Sequence, residues 1–132
     1  MNYGDWLNSV HHDIRKDPLW SLETYRKALF VSDIAWYDCE QLLKHPLGKP
    51  IAWQLIRSAG SIAANMEEGF GRGYGKDYAR FLKIALGSAR ETRGWYFRGR
   101  RILHQNIVDE RIASLKTIIA GLVTLSKQQS RR

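Results

Sequence analysis

The chain has 132 residues, of which 21 are Lys or Arg and 13 are Asp or Glu, so its net charge is +8. This length predicts one domain, and no apolar run approaches the ~20 residues that a membrane-spanning helix needs. The basic balance favours polyanionic partners such as RNA, DNA or acidic proteins, with a merely solubilising basic surface as the alternative. The single cysteine, Cys39, excludes an intrachain disulfide. Because the N-terminus also lacks a signal-peptide pattern, we expect a cytoplasmic protein without membrane contact.

Helical periodicity dominates the chain, and no segment shows the alternation that is typical of a strand. Residues 1–17 are predicted to form an N-terminal extension. Asp17 as N-cap and Pro18 at the first helical position predict the start of the first long helix. Its apolar stripe comprises Leu22, Tyr25, Leu29, Ser32, Trp36, Cys39 and Leu43.

Two further long helices are predicted from their caps and breakers. Pro46 and Pro50 end the first helix, and the second begins near Pro50 and ends at Gly69. Its apolar stripe comprises Ile51, Leu55, Ala59, Ile62 and Met66. The third helix begins near Lys76 and reaches towards Leu103.

The last predicted helix begins at Asn106, where Asp109 three residues on can complete a capping pair. It places Val108, Ile112, Leu115, Ile119 and Leu122 on one stripe. Residues 129–132 form a polar tail. Four amphipathic helices with short connections predict an all-α protein: an antiparallel up-down-up-down four-helix bundle over residues 18–128, with the short N-terminal extension at residues 1–17.

The segment GFGRGYG separates the second and third predicted helices. It follows a helix rather than a strand and contains no Gly-Lys-Ser/Thr sequence, so neither a dinucleotide fingerprint nor a Walker loop is indicated. We interpret it as a hinge between helices, with a phosphate-binding loop as the weaker alternative. Arg72 and Lys76 flank the start of the third helix, whose free N–H groups favour anions.

A polar stripe borders the apolar face of the second helix. We predict a structural hydrogen-bond network between helices or subunits, because half-buried polar groups need partners. Its members are Arg57, Ser61, Asn65 and Glu68 on the second helix, and Ser88 and Glu91 on the third. A polar functional site on the bundle wall is the alternative.

Catalytic chemistry is not indicated. The sequence offers no Ser–His pair and no close pair of carboxylates with a reason for a raised pKa. The four histidines show no spacing typical of metal ligands. We therefore expect no catalytic residues, no bound metal, no cofactor and no enzymatic activity.

The third helix has a basic stripe. Six basic residues and two glycines fall within about 80° on a helical wheel and extend over roughly 38 Å. From Gly71 to Arg101 there are nine basic and two acidic residues, a balance of +7. The predicted nucleic-acid-binding residues are Arg72, Lys76, Arg80, Lys83, Arg90, Arg93, Arg98 and Arg101. A solvated or intersubunit face is the alternative.

Apolar residues also occupy a second side of the third helix, and small residues flank Trp53 on the second. The residues on the further apolar edge are Phe81, Ile84, Trp95 and Ile102. Such surfaces predict a homo-oligomer, unless residues 1–17 cover them within one chain. The tryptophans and tyrosines mostly occupy core spacings, so we do not expect them to stack on nucleobases.

The segments IRSAGSIAANMEEGFGR and FLKIALGSARE resemble a known family. It comprises the four-helix-bundle proteins first noticed as reading frames in intervening sequences of large-subunit ribosomal RNA genes. The resemblance covers about residues 19–125, although Glu67 stands where the family usually has Ala. The matching positions are Arg57, Ser61, Ile62, Asn65, Glu68, Gly69, Gly71, Arg72, Arg80, Phe81, Leu82, Ala85, Gly87, Ser88 and Glu91.

This resemblance implies an antiparallel four-helix bundle that assembles as a ring, typically a homopentamer, and it implies no firm activity. A related branch is the accessory variability protein of diversity-generating retroelements, which works with a reverse transcriptase and its template RNA. Our first hypothesis is a non-enzymatic oligomeric protein that binds RNA or DNA through phosphates. The alternative is an accessory scaffold that docks a reverse transcriptase and its template RNA.

Overall fold

The computed structural model describes residues 1–132 and is entirely helical, with six α-helices, three short 3-10 turns and no strand. The α-helices are α1 (Tyr3–Ser9), α2 (His12–Lys16), α3 (Glu23–Leu43), α4 (Lys49–Gly71), α5 (Lys76–Arg98) and α6 (Gln105–Ser130). The 3-10 turns are Pro18–Ser21, Pro46–Gly48 and Gly99–Arg101. The predicted all-α class is therefore confirmed.

The four long helices, α3 to α6, share one hydrophobic core. Helix α4 packs against α3 and α5, and α6 packs against α5 and α3. Each long helix contributes fully buried side chains to this core, such as Leu42, Leu55, Leu82 and Leu122. None of the helices combines the length and apolar character that a membrane-spanning segment needs.

The start of α3 differs from the predicted start at Asp17. The Asp17 side chain accepts from the backbone N–H of Leu19 at 2.9 Å, so it does act as a cap. It caps the 3-10 turn Pro18–Ser21, however, and α3 begins only at Glu23. The Asp-Pro signal identified a helical start correctly but not the element to which it belongs.

The buried face of α3 is rotated from the predicted stripe. Trp36 is 62% exposed and Leu43 is 44% exposed, so the prediction was wrong for these two residues. The buried residues of α3 are Tyr25, Ala28, Val31, Ile34, Ala35, Asp38, Cys39 and Leu42. Small side chains dominate this face, and a stripe chosen from the largest apolar residues missed them. The stripes predicted on α4 and α6 do lie against the core, with only Ile51 and Ile112 half-buried.

The glycine segment contains a close packing contact as well as a hinge. Helix α4 continues to Gly71, so Gly69 is inside the helix and is not its C-terminal cap. A Cβ at Gly69 would lie 2.7 Å from Cβ of Phe81, so α4 and α5 approach each other closely here. The reversal of the chain falls instead at Gly73 and Gly75, whose φ angles are 101° and 82°.

Helix α5 and helix α6 are also bounded differently from the prediction. Helix α5 ends at Arg98, and a 3-10 turn replaces the expected continuation towards Leu103. The N-cap of α6 is His104, whose Nδ1 accepts from the backbone N–H of Asn106 at 3.1 Å. The expected cap at Asn106 was therefore wrong by two residues, because a histidine supplies the acceptor.

The N-terminal extension packs on α3. Trp6 is 2% exposed, and its Nε1 donates to Oδ2 of Asp33 at 2.7 Å. The rings of Tyr3 and Trp6 lie 5.2 Å and 5.3 Å from the ring of Phe30. Helix α1 thus lies against α3, and no comparable packing connects it to α5.

Candidate nucleic-acid interface

The basic stripe lies on the side of α5 that faces away from the core. The buried residues Tyr78, Ala85 and Tyr96 cluster near one direction of the helical wheel. The stripe is centred about 180° from that direction, at ~100° per residue. Its members on α5, namely Lys76, Arg80, Lys83, Arg90 and Arg98, are all exposed.

Three of the predicted binding residues lie at the margins of this surface. Arg72 is in the connection before α5, and Arg101 is on the 3-10 turn after it. Arg93 is half-buried and lies about 60° outside the arc of the stripe, on the side that turns towards the core. The helical part of the stripe therefore extends from Lys76 to Arg98, which is about 33 Å rather than the expected ~38 Å.

Acidic residues pair with the stripe only near its beginning. Nη2 of Arg80 lies 3.2 Å from Oδ1 of Asp77, and Arg72 is 3.8 Å from Asp77 and 3.4 Å from Glu68. These pairs are exposed, and such pairs typically contribute ~0–1 kcal/mol. No carboxylate lies within 4.0 Å of the Lys83 ammonium group. The cations that follow it in the stripe, Arg90 and Arg98, also form no ion pair. The positive charge of the stripe is consequently little neutralised by the protein itself.

Aromatic rings support several of the guanidinium groups. The Cζ atoms of Arg72 and Arg80 lie 4.9 Å and 4.5 Å from the ring centre of Phe81. Cζ of Arg98 lies 4.9 Å from the ring of Trp95. Cation–π contacts of this kind hold the planar groups over apolar surface while their N–H donors stay in water.

Two aromatic residues near the ends of the stripe do not belong to the core. Tyr74 is 76% exposed and Phe97 is 53% exposed. Cζ of Arg132 lies 4.5 Å from the ring of Tyr74, and Cζ of Arg100 lies 4.0 Å from that of Phe97. Tyr74 is therefore an exception to the core spacing expected for most tyrosines, and the sequence analysis made no prediction for Phe97. The glycines on both sides of Tyr74 were the sequence signal that it lies in a connection.

The predicted polar residues between α4 and α5 form two separate groups. Arg57 forms an ion pair with Glu91, which also accepts from Nε1 of Trp95 at 2.9 Å. Oγ of Ser88 donates to Oγ of Ser61 at 3.1 Å, and Nδ2 of Asn65 donates to the carbonyl of Ser61 at 2.8 Å. Both groups supply hydrogen-bond partners to polar side chains at the boundary between α4 and α5.

Glu68 does not join these groups, because its only partner is Arg72 at the end of α4.

A buried contact that sequence reasoning missed lies beside these groups. Oγ1 of Thr92 donates to Oγ of Ser58 at 3.0 Å, and both residues are fully buried. The hydroxyl and amide groups donate and accept among themselves, and the one carboxylate, Glu91, is paired with Arg57, an arrangement typical of helix packing.

A buried charged contact near the other end of the core was also missed. Oδ2 of Asp38 accepts from the Tyr96 hydroxyl at 2.6 Å and from Nε of Arg111 at 2.8 Å. Asp38 is 3% exposed and joins α3 to α5 and α6. Burial, followed by the charge of Asp38, raises the pKa of Tyr96 well above its ordinary value. Tyr96 is thus a neutral hydrogen-bond donor to Asp38.

The histidines are less scattered than the sequence suggested. Ligand-capable atoms of His11, His12 and Asp13 lie within 4.8 Å of one another, at the exposed start of α2, where His11 is the N-cap. Nδ1 of His11 already accepts from the backbone N–H of Asp13 at 3.1 Å. These three residues lie on short, exposed structure, and the absence of a bound metal stays a prediction.

The fold and the basic face define a helical protein whose charge is concentrated on one helix. The chain belongs to the 23S rRNA-intervening sequence protein family, whose model matches residues 21–124. A solved structure from Bacteroides thetaiotaomicron, described as a protein of unknown function from the S23 ribosomal protein family, has the same fold. The TM-score is 0.73 at 23% sequence identity, over 79% of this chain and 98% of that one. A search of curated proteins gave no match.

Proposed function

We propose that the protein binds RNA non-enzymatically through the exposed face of α5. The observation that supports this most directly is the row of five exposed cations, Lys76 to Arg98, directly opposite the core. No core contact requires their positive charge. The names of the family and of the solved relative refer to 23S rRNA and to a ribosomal protein family, which favours RNA over DNA as the ligand.

Contacts of this kind act on the phosphate backbone. Lysine and arginine neutralise phosphates and release condensed counterions, so binding weakens steeply as salt rises and depends little on base identity. The Arg side chains add bidentate hydrogen bonds to phosphate oxygens. Arg80 and Arg98 are positioned for such contacts by the neighbouring rings of Phe81 and Trp95.

Charge reversal on this surface tests the proposal. The variant with Arg80→Glu, Arg90→Glu and Arg98→Glu should lose at least about 100-fold in affinity for a structured RNA at moderate salt, because three phosphate contacts become repulsive. The measurement is a fluorescence anisotropy titration with the full chain. A matched duplex DNA, titrated in parallel, distinguishes a preference for RNA from general phosphate binding.

The control must change the charge equally. Lys44→Glu, Lys49→Glu and Lys116→Glu alter three exposed lysines outside α5 and lower the net charge by the same six units. This control should retain nearly all of the affinity. Equal losses in both variants would contradict the proposal, because they would show that net charge rather than the α5 face determines binding.

The proposal also includes the topology of the helices and the oligomeric state of the protein. The four long helices would form the antiparallel up-down-up-down bundle, and copies would assemble as a homo-oligomer, a pentamer by family resemblance. Trp36 and Trp53, 62% and 70% exposed on neighbouring helices, are the apolar surface most in need of cover. Light scattering of the wild type and of Trp53→Ala would test this assembly, since a monomer in both would contradict it.

Two further expectations from the sequence remain predictions. The absence of enzymatic activity and a cytoplasmic location rest on sequence patterns alone. Docking of a reverse transcriptase has no support in the fold or in the related proteins, so it is not part of the function proposed here.

A further inference from the structure

We infer that the α5 surface selects single-stranded RNA, with Tyr74 and Phe97 stacking on nucleobases at its two ends. This inference rests on the proposed function, since stacking adds to phosphate binding along the stripe. It assigns a role to two exposed rings that neither the core nor the polar groups use.

Tyr74 lies at the beginning of the stripe, two residues before α5. The flanking Gly73 and Gly75 both have positive φ, and the backbone N–H of Gly75 donates to Oε1 of Gln129 at 3.0 Å. The connection is thereby attached to α6 while the Tyr74 ring stays 76% exposed. The ring is held in place on a defined backbone and not buried by it.

Phe97 lies at the other end, beside Arg98. At ~100° per residue, its position is about 60° from the centre of the stripe. It is 53% exposed and has the guanidinium of Arg100 against its ring at 4.0 Å. A phosphate chain that follows the cations would therefore pass an exposed aromatic ring at each end.

Both rings have the same chemical arrangement, a flat π-face with a planar guanidinium 4.0–4.5 Å from its centre. An unpaired base can stack on such a ring or on the guanidinium, whereas bases inside a duplex present only their edges to a protein. The guanidinium can at the same time bind the adjacent phosphate. This combination of aromatic faces with a basic track is typical of single-strand binding surfaces.

The length of the track agrees with a short single strand. The helical part of the stripe is about 33 Å long. At ~3.4 Å per phosphate, the rise of one strand within a duplex, that distance corresponds to about ten nucleotides, which is the upper limit because an extended single strand covers it with fewer. The probe is therefore an unstructured oligouridine about ten nucleotides long, compared with an RNA duplex of the same length and with a ribose-phosphate chain of that length without bases.

The substitutions distinguish a requirement for an aromatic ring from a requirement for a large apolar side chain. Tyr74→Leu and Phe97→Leu should each weaken oligouridine binding about five-fold or more, since each removes one stacking surface. Tyr74→Phe keeps the ring and should bind as the wild type does. Tyr37→Leu changes a tyrosine that is 56% exposed on α3, away from the stripe, and should have no effect.

The duplex and the chain without bases provide the decisive comparisons. Neither the duplex nor the baseless chain should be bound more weakly by Tyr74→Leu than by the wild type. Because Tyr74 is so exposed, the variant should keep the wild-type circular dichroism spectrum and melting temperature. Phe97→Leu provides an independent readout if Tyr74→Leu alters the connection between the helices.

Two different failures are distinguishable. If the wild type binds oligouridine and duplex with a steep salt dependence, but the leucine variants bind both as tightly as the wild type, stacking is refuted and phosphate binding stands. Equal weakening of duplex and oligouridine would also refute stacking. If the wild type binds none of the three probes, both the inference and the proposed function are wrong.

Discussion

The buried contact around Asp38 makes a quantitative prediction about stability. Its carboxylate accepts from the Tyr96 hydroxyl at 2.6 Å and from Arg111 at 2.8 Å and 3.3 Å. Asp38→Ala would leave a half-buried guanidinium with only the exposed carboxylate of Glu110, 3.4 Å away, as a counter-charge, and a fully buried hydroxyl without an acceptor. Breaking a buried pair on one side costs about 3–5 kcal/mol, a large part of the ~5–15 kcal/mol that stabilises a typical domain.

The assay is urea unfolding followed by circular dichroism, with the free energy of unfolding extrapolated to water. A second variant, Asp38→Leu with Arg111→Met, removes both charges and should recover much of the loss, because apolar packing often replaces a buried ion pair at little cost. A loss below about 1 kcal/mol for Asp38→Ala would refute the reasoning. It would mean that water or another side chain satisfies Arg111 once the carboxylate is gone.

Four further variants test the packing of the helices and the titration of a buried thiol. In urea unfolding, Gly69→Ala should destabilise the fold by about 1–3 kcal/mol, because the added Cβ would lie 2.7 Å from Cβ of Phe81. Gly87→Ala should instead stabilise the fold by about 0.5–1 kcal/mol, because nothing lies within 4 Å of its added Cβ. Burial, followed by the charge of Asp38, raises the pKa of the Cys39 thiol from 9.0 to about 11. Because the thiol of the unfolded chain loses its proton at lower pH than the folded one, the free energy of unfolding should fall between pH 9 and 11. The fall should be about 2–3 kcal/mol larger in the wild type than in Cys39→Ala. Trp6→Ala should speed amide hydrogen exchange in residues 3–16 and leave α4 and α5 protected, since Trp6 attaches the extension to α3; equal protection of the extension in both proteins would contradict that role.

Periodicity predicted the long helices well because each buries one face. The stripes on α4 and α6 consist of large aliphatic residues, and their positions determine the buried face without ambiguity. On α3 the core is built from Ala28 and Ala35 together with Val31, while Trp36 is exposed. Hydropathy alone ranks the tryptophan above the alanines, so the predicted face was rotated.

Helix ends were predicted less well because several residue types can supply the same cap. His104 takes the N-cap role that the sequence suggested for Asn106. Gly69 was expected to end α4, but its missing side chain serves the close approach of α5 instead. A glycine signals either a reversal or a close contact, and only the tertiary arrangement distinguishes the two.

The basic stripe was predictable because cations at helical spacing need no partner helix to share a face. Long-range polar contacts were not predictable in the same way. The contact of Asp38 with Tyr96 and Arg111 joins residues 58 and 73 positions apart, and no local pattern connects them. The exposed aromatic rings at the ends of the stripe were missed because their burial depends on neighbours from other helices.

The central claim is that the cations of α5 bind phosphates, and the salt dependence of binding tests it most directly. The measurement is the slope of log K against log salt for the wild type with the oligouridine. Five phosphate contacts predict a slope of about −3.5, and removal of three arginines should reduce its magnitude by about 2. A wild-type slope near zero, or an unchanged slope in the variant with Arg80, Arg90 and Arg98 replaced by Glu, would contradict the claim.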